Sequence, residues 1–271
     1  MRLTSYEKDV RREIERWERG ESSILMQAMN WAMKPVDYVV DRVAPPEVVD
    51  QAGSAVEDFL SVLNNASEWT YDTDDLLERA RKHGIDVERI EDLRDQPLDE
   101  LDPFARSLFA QNAILAAIEG GGTGLGGVFL MAADLPLLFT INFRLIQQIG
   151  AAYGFTMRGP AYRPIILSIY NVAASSGRDA KHAALREMSV AAASFAGDLE
   201  YRGRISGTFR EQNRHLPREI AKNLVGRKLG QTIPVIGAAV GAGVNYWFTT
   251  ETAQAAYMLF RALFLEWKDR R

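Results

Sequence analysis

Apolar residues recur along this chain at intervals of three and four, the repeat of a helix with one buried face. Val10, Ile14 and Trp17 show this spacing first, with arginine and glutamate at the positions between them. Thr4 and Glu7 have the spacing of a capping box, which predicts where this helix begins. No segment alternates apolar and polar residues between hairpin turns, so the sequence predicts an all-α protein.

Prolines and glycines separate this first helix from a series of further predicted helices. They cover residues 22–34, 46–63, 73–85, 86–95, 103–120, 134–154, 162–176, 178–197, 217–230 and 250–267. Pro103 is placed to open one of the stronger ones, because proline is tolerated at the first position of a helix. We predict one domain over 1–271, in which the charged helices of 1–101 pack around a core in 103–271.

The glycine-rich stretch 120–127 interrupts this pattern with the spacing of a nucleotide-binding loop. Gly122, Gly124 and Gly127 follow G-x-G-x-x-G, which binds a dinucleotide when a strand precedes it and an acid follows about 20 residues later. Here a helix is predicted to precede it, and the residue twenty positions after Gly122 is Asn142. We therefore predict that these glycines bind no nucleotide.

A second glycine-rich apolar stretch, 237–243, matches the first when the chain is shifted by 117 residues. The glycines that coincide are Gly120 with Gly237, Gly124 with Gly241, and Gly126 with Gly243. The acid Asp134 coincides with Glu251, and Phe143-Arg144 coincides with Phe260-Arg261. Because glycine has no side chain to hold two backbones apart, we predict that these glycines form close contacts within two packed apolar helical hairpins.

Both glycine-rich stretches are long enough to raise the question of a membrane span. Residues 229–250 contain no charge but carry several polar side chains, and Asp134 interrupts the apolar stretch 120–143. A charge near the middle of a span is costly. The sequence favours hairpins that are buried in the protein or dip into a membrane over helices that cross it.

Five residues in this apolar part of the chain are candidate ligand-binding residues: Asp134, Arg144, Asn245, Glu251 and Arg261. The two acids lie where helices are predicted to begin, so each is either a helix cap or a polar group facing a ligand or an arginine. The two arginines are either members of buried ion pairs or ligand contacts. Asn245 follows the second glycine run and could satisfy backbone carbonyls that the glycines leave free.

A basic segment, 202–228, directly precedes the second apolar stretch and contains few acids. Arg210, Arg214, Arg218 and Lys222 are its candidates for contact with anionic lipid headgroups, because a basic segment beside an apolar one binds such surfaces. The ordinary alternative is a solvated helix face.

Composition excludes several other functions. The formal net charge of -4 argues against a nucleic-acid partner. There is no cysteine, which removes disulfides and thiolate metal sites, and the three histidines lack the spacing of a zinc site. We predict no metal, no cofactor and no catalytic residue. The N-terminus has no apolar core that would make it a signal peptide, so we expect a cytoplasmic protein.

Two long segments resemble the signatures of the EcsC family. The central one is "ILAAIEGGGTGLGGVFLMAADLPLLFTINFRLIQQIGAAYG", and the C-terminal one is "IPVIGAAVGAGVNYWFTTETAQAAYMLFRALFLEW". The family's DLP step matches 134–136, and its asparagine after the last glycine matches Asn245. Gln148 occupies a position where the family pattern leads us to expect an acid. The resemblance implies a bacterial protein without a settled activity, in a family with one member encoded beside ABC transporter subunits.

These observations lead to one main hypothesis and two alternatives. The main hypothesis is a non-enzymatic accessory protein that binds lipid, another hydrophobic ligand or the membrane surface. Such a protein would lie in the cytoplasm or at the inner face of the cell membrane, with the ABC transporter subunits that the resemblance implies as partners. The alternatives are a hydrolase that uses Asp134 or Glu251, and a purely structural partner of a transporter. The sequence does not indicate an oligomeric state.

Overall fold

The computed structural model describes residues 3–19, 71–123, 127–157, 162–175, 181–189 and 237–270, together with the single positions 54, 58, 192 and 220. All regular structure in these ranges is helical, so the all-α prediction is confirmed for the part of the chain that the structure describes. The helices predicted over 22–34, 46–63 and 217–230 lie outside those ranges.

Helix α1, Ser5–Glu18, begins at the capping box that the sequence predicts. The Thr4 hydroxyl accepts a hydrogen bond from the Glu7 backbone N–H at 3.2 Å, and the Glu7 carboxylate accepts one from the Thr4 N–H at 2.8 Å. Two N–H groups that would otherwise lack partners at the helix start are thereby satisfied. The local sequence alone therefore determines where α1 starts.

The acidic region that follows forms one α-helix and one 3₁₀ helix. Helix α2, Thr73–Lys82, is capped by the Asp72 carboxylate and is followed by Gly84, whose φ of 85° is the left-handed conformation that favours glycine. The stretch predicted as a helix over 86–95 forms the 3₁₀ helix Ile90–Asp95. At six residues it is longer than most 3₁₀ helices, which seldom exceed about four residues.

Four longer helices form the core: α3, Leu98–Thr123; α4, Gly127–Ala152; α5, Arg163–Ala174; and α6, Gly237–Asp269. The prediction that Pro103 opens α3 is wrong, because this helix begins at Leu98 and includes the proline. Proline removes one backbone donor there, close to the helix start. Helices α3, α4 and α6 are rich in apolar residues, and they bury one another.

Contacts spaced along the helices fix their directions. The contacts are Asp102 with Arg261, Arg106 with Tyr257, Asn142 with Thr249, and Gly150 with Phe260. Helix α6 therefore runs antiparallel to α3 and parallel to α4, while α3 and α4 form an antiparallel hairpin. One end of this three-helix core is where α3 ends and α4 and α6 begin.

The two glycine runs occupy different structural positions. Gly122 lies in the last turn of α3 and Gly127 begins α4, so the first run includes the end of one helix and the start of the next. A helix precedes this run, as predicted, and the strand that a dinucleotide loop requires is not there. The second run lies inside α6, which is helical from Gly237 onward.

Close contact at a glycine occurs, but not at the described glycine for which it was predicted. Gly243 is exposed, and a Cβ placed on it would meet no atom within 4 Å, so the predicted close packing is wrong at this position. At Gly150, a Cβ would lie 2.8 Å from the Phe260 ring and 2.9 Å from the Met157 sulfur. The packing around Gly120, Gly124, Gly126, Gly237 and Gly241 lies outside the described residues.

Candidate functional site

Glu251 lies inside α6 and not at its start, so the prediction that this acid begins a helix is wrong. The glycines before it are helical, which moves the start of α6 to Gly237. The buried Glu251 carboxylate accepts a hydrogen bond from Lys181 Nζ at 2.6 Å. The same ammonium donates to the Val172 carbonyl at 2.8 Å, near the C-terminus of α5, where a cation complements the helix dipole.

Asp134 and Arg144 lie on α4. That helix begins at Gly127, so Asp134 is not its first-turn acid, and the DLP proline lies within the helix. The Asp134 side chain is outside the described residues. Arg144 is exposed, whereas Arg261, its counterpart after the 117-residue shift, is 1% exposed. The two arginines therefore have different environments despite the matching sequence around them.

Arg261 forms a buried ion pair, one of the two alternatives that its apolar surroundings indicate. Its Nη2 lies 3.0 Å from Oδ2 of Asp102, and its Nη1 donates to Oε2 of Glu13 at 2.9 Å. The guanidinium also lies over the Tyr257 ring, 4.5 Å from the centroid. Burial alone would lower the pKa of Arg261, but Asp102 and the neighbouring groups outweigh it and hold that pKa above its ordinary value.

Two tyrosines complete the environment of the Asp102 carboxylate. The hydroxyls of Tyr6 and Tyr153 donate to its two oxygens at 2.6 Å each. Burial and the Asp102 charge raise the pKa of Tyr153 well above its usual range, and the same two causes raise the pKa of Tyr257 to about 12. The tyrosines therefore remain protonated donors, and the cluster joins α1, α3, α4 and α6.

Further ion pairs attach α1 to the core. Glu13 lies between Arg261 and Arg106, whose Nη2 is 3.7 Å away. Glu7, which is 2% exposed, pairs with Lys268 near the end of α6. Burial opposes ionisation of Glu7, but hydrogen bonds from Lys268 and Thr4 hold its pKa below the ordinary value.

A stripe of polar residues occupies the buried face of α6. Asn245, Thr249 and Thr252 follow the helical spacing of four and three, and all are fully buried. Asn142 on α4 meets the stripe, because its Nδ2 donates to Thr249 Oγ1 at 3.1 Å and to the Leu138 carbonyl at 2.8 Å. The Asn142 Oδ1 is buried without a hydrogen-bond partner among the described residues. We call Asn142, Asn245, Thr249 and Thr252 the polar interior.

Gln148 also lies in the core. It is 3% exposed and accepts a hydrogen bond from Asn112 Nδ2 at 3.2 Å, which links α4 to α3. A neutral amide satisfies this buried position without the cost of a buried charge. That environment explains why an uncharged residue is accommodated where the family pattern predicts an acid.

Large apolar side chains are exposed in the half of the core that lies nearer to the end of α3 and the starts of α4 and α6. They are Ile114 at 56%, Leu115 at 47%, Ile118 at 68%, Leu137 at 46% and Tyr246 at 43%. The helix directions bring Ile118, Leu137 and Tyr246 to one level, so we call these five residues the apolar end. Single exposed apolar residues are ordinary, but a group on three neighbouring helices indicates an interaction surface.

Charged residues are concentrated away from the apolar end. The stretches 107–118, 135–143 and 237–250, which contain the apolar end, carry no Asp, Glu, Lys or Arg. Residues 71–102, here called the acidic segment, contain twelve acids and five arginines and lysines. Contacts such as His83 with Phe104 hold this segment at the other end of the core.

Within the described residues, no helix combines the length and the apolar composition that a bilayer span requires. No group of three or more His, Cys, Asp or Glu residues there is placed to hold a metal ion. The four basic candidates for headgroup contact, Arg210, Arg214, Arg218 and Lys222, lie outside the described residues.

Comparison with known proteins gives the same assignment as the two glycine signatures. The family model described as EcsC protein family matches residues 8–264. The chain belongs to the EcsC protein family. It is similar to "Uncharacterized protein YdbA" of Bacillus subtilis (strain 168), 22% identical over 256 residues, which are 92% of this chain and 89% of that protein. It is also similar to "Protein EcsC" of the same strain, 28% identical over 171 residues, which are 62% of this chain and 66% of that protein. No solved structure matches.

Sequence reasoning missed Asp102, the acid that contacts two tyrosines and Arg261 in this EcsC family member. Asp102 follows Asp99 and Glu100, which are exposed, and so it reads as part of a solvated acidic run. One signal could have identified it. Asp102 shares a helix face with Leu98 and Ala105, both of which are buried. A charge on an apolar face is a candidate for a buried pair.

Proposed function

We propose that this EcsC family member binds the surface of a lipid membrane, with the apolar end as the contact. The supporting observation is that, in one half of the core, polar side chains lie inside while several aliphatic side chains face outward. There the polar interior is fully buried, while Ile114, Ile118 and Leu137 are about half exposed or more. Small and hydrogen-bonding side chains between helices and aliphatic side chains outside are typical of helices that contact lipid.

The expected strength of this interaction suits reversible binding. Complete burial of a leucine or isoleucine side chain contributes about 1.5–3 kcal/mol. Burial of the exposed half of the four leucine and isoleucine side chains of the apolar end therefore gives roughly 3–6 kcal/mol before the cost of association. A single acyl chain gives marginal, reversible membrane binding, and we expect comparable behaviour here. The membrane that we propose is the inner face of the cell membrane.

Vesicle flotation tests the proposal directly. The protein is mixed with phosphatidylcholine vesicles and centrifuged through a density gradient, beside a variant with Ile114→Ser, Ile118→Ser and Leu137→Ser. We expect the native chain to float with the vesicles and the variant to lose at least about tenfold in bound fraction. Asp86→Ser is the matched control, because the Asp86 side chain is 92% exposed and lies in the acidic segment.

The outcomes separate clearly. Native protein that remains at the bottom of the gradient with neutral and with anionic vesicles alike would refute membrane binding. Equal loss in the triple variant and in Asp86→Ser would show that the apolar end is not the contact. Circular dichroism of each variant confirms that the helices are retained.

Two further predictions remain proposals. Contact of the basic segment 202–228 with anionic headgroups would add an electrostatic contribution to binding. Association with ABC transporter subunits would place the protein beside its membrane partner, and co-purification tests it. The hydrolase alternative gains no specific observation, since Glu251 is engaged by Lys181.

A further inference from the structure

We infer that Arg144 binds the phosphate of a phospholipid headgroup while the apolar end contacts the bilayer. This inference rests on the proposed function and names the polar part of its lipid partner. It gives the exposed guanidinium of α4 a ligand that aliphatic side chains alone do not recognise.

The first step concerns the position of Arg144 beside the apolar end. Leu137 and Arg144 are both exposed, and the seven residues between their positions make about two helical turns, so they lie on one face of α4. The hydrogen bond of Asn112 with Gln148 sets the register of α3 against α4. About one turn from that bond, toward the end of α3, the antiparallel pair reaches Leu115 and Arg144. The guanidinium therefore borders the exposed aliphatic side chains of both helices.

The second step concerns the charge of Arg144. Within the part of the chain that the structure describes, its guanidinium forms no ion pair and no hydrogen bond. Arg106, the exposed arginine of α3, is engaged, because it donates to the Tyr257 hydroxyl at 2.9 Å and lies 3.7 Å from Glu13. The stretch 135–143, directly before Arg144, contains no charged residue. A cation at the border of an aliphatic surface is thus left to pair with whatever binds that surface.

The third step concerns the chemistry of that ligand. The guanidinium is a planar fork of N–H donors, which matches two oxygens of a phosphate in a bidentate contact. The methylene groups of an arginine pack along an apolar surface while its charged group stays in the polar layer. In a phospholipid the phosphate lies next to the acyl chains, so one lipid surface satisfies both Arg144 and the aliphatic side chains beside it.

Vesicle flotation with matched arginine variants tests the inference. The native chain, Arg144→Gln and Arg186→Gln are compared on vesicles of mixed phosphatidylcholine and phosphatidylglycerol, and on vesicles of digalactosyldiacylglycerol, a lipid with two acyl chains and no phosphate. Arg186 is the matched control because it is also exposed and lies in 181–189, which joins α6 through the pair of Lys181 with Glu251. Circular dichroism confirms that each variant retains its helices.

The expected losses differ between the variants and between the lipids. A single arginine at an anionic surface changes binding by roughly fivefold, so we expect Arg144→Gln to lose about that much on the phospholipid vesicles. Arg186→Gln should lose less than about twofold there. On the galactolipid vesicles the three proteins should bind equally, because no phosphate is present for Arg144.

Failure of the inference and failure of the proposed function give different results. Arg144→Gln that binds phospholipid as well as the native chain, or no worse than Arg186→Gln, would overturn the inference and leave binding through the apolar end intact. Absence of flotation of the native chain with both kinds of vesicle would refute the proposed function itself.

Replacement of chloride by inorganic phosphate at constant ionic strength separates the lipid phosphate from the free anion. We expect the fraction of native protein bound to phospholipid to stay the same, because the free anion offers nothing to the aliphatic side chains. A loss of bound native protein that is not seen with Arg144→Gln would show that Arg144 takes free phosphate, and would overturn the assignment to a lipid.

Discussion

The guanidinium of Arg261 lies 3.0 Å from the carboxylate of Asp102, and both side chains are almost completely buried. The pair joins α6 to α3, and the hydroxyls of Tyr6 and Tyr153 bring α1 and the end of α4 to the same carboxylate. Because each charge is balanced by the other, the cost of removing one partner exceeds the net stability that the pair contributes. The pair therefore favours this arrangement of the helices over arrangements that separate the two charges.

Asp102→Asn should be strongly destabilising. The substitution leaves the Arg261 charge buried with Glu13 as its remaining acidic partner, and such uncompensated charges cost about 3–5 kcal/mol. Urea denaturation followed by circular dichroism measures the change. Asp99→Asn is the control, because Asp99 lies on the same helix and is exposed. A surface change of that kind should stay within about 0.5 kcal/mol, and equal effects of the two substitutions would contradict the assigned role of Asp102.

The attachment of α1 through Glu7 should weaken as the pH falls. Its pKa is below the ordinary value of 4.5 in the folded state, so its ionised form favours the folded protein. That stability is present above about pH 4.5 and is lost as the pH falls through the folded-state pKa. Unfolding free energies of the native chain and of Glu7→Gln, measured from neutral to acid pH, test this.

The Gln variant retains an amide oxygen for the capping box, so the comparison isolates the ion pair with Lys268. We expect Glu7→Gln to be about 1 kcal/mol less stable at neutral pH and to show a flatter decline in acid. Parallel pH profiles of the two proteins would mean that Glu7 does not contribute in this way.

Gly150 and Gly243 should respond in opposite directions to the same substitution. A methyl group at Gly150 would overlap the Phe260 ring and the Met157 sulfur, and overpacking of this kind costs about 1–3 kcal/mol. Gly243 lies on an exposed helix face with open space around it, where alanine gains up to about 1 kcal/mol over glycine. Melting temperatures of the two alanine variants give the comparison. A loss at Gly243 as large as that at Gly150 would restore the predicted helix contact there.

The sequence predicts local features of this fold well and tertiary ones poorly. The start of α1 depends on Thr4 and Glu7 alone, so two residues three positions apart suffice to locate it. The capping role predicted for Glu251 failed because the glycines before it are helical, which depends on what packs around them. A sequence pattern cannot supply that information.

The two arginines of the proposed repeat illustrate the same limit. Arg144 and Arg261 follow phenylalanines that are both buried, yet one arginine is exposed and the other is almost completely buried. The difference comes from Asp102 and Glu13, which are distant in sequence and face Arg261. Likewise, the apolar end is defined by exposure, and periodicity cannot show which aliphatic residues remain uncovered.

Glu251→Gln should lower the free energy of unfolding, and we expect it to remove no catalytic activity. The Glu251 carboxylate is 8% exposed and lies 2.6 Å from Lys181 Nζ, so its loss leaves a half-paired ammonium that still donates to the Val172 carbonyl. We expect a cost of about 1–2 kcal/mol, measured as the shift of the urea midpoint. Glu266→Gln is the matched control on the same helix, because its pair with Arg270 is exposed and should contribute less than about 0.5 kcal/mol. An unchanged midpoint for Glu251→Gln would show that the pair does not stabilise the fold. Glu251 would then again be a candidate ligand contact.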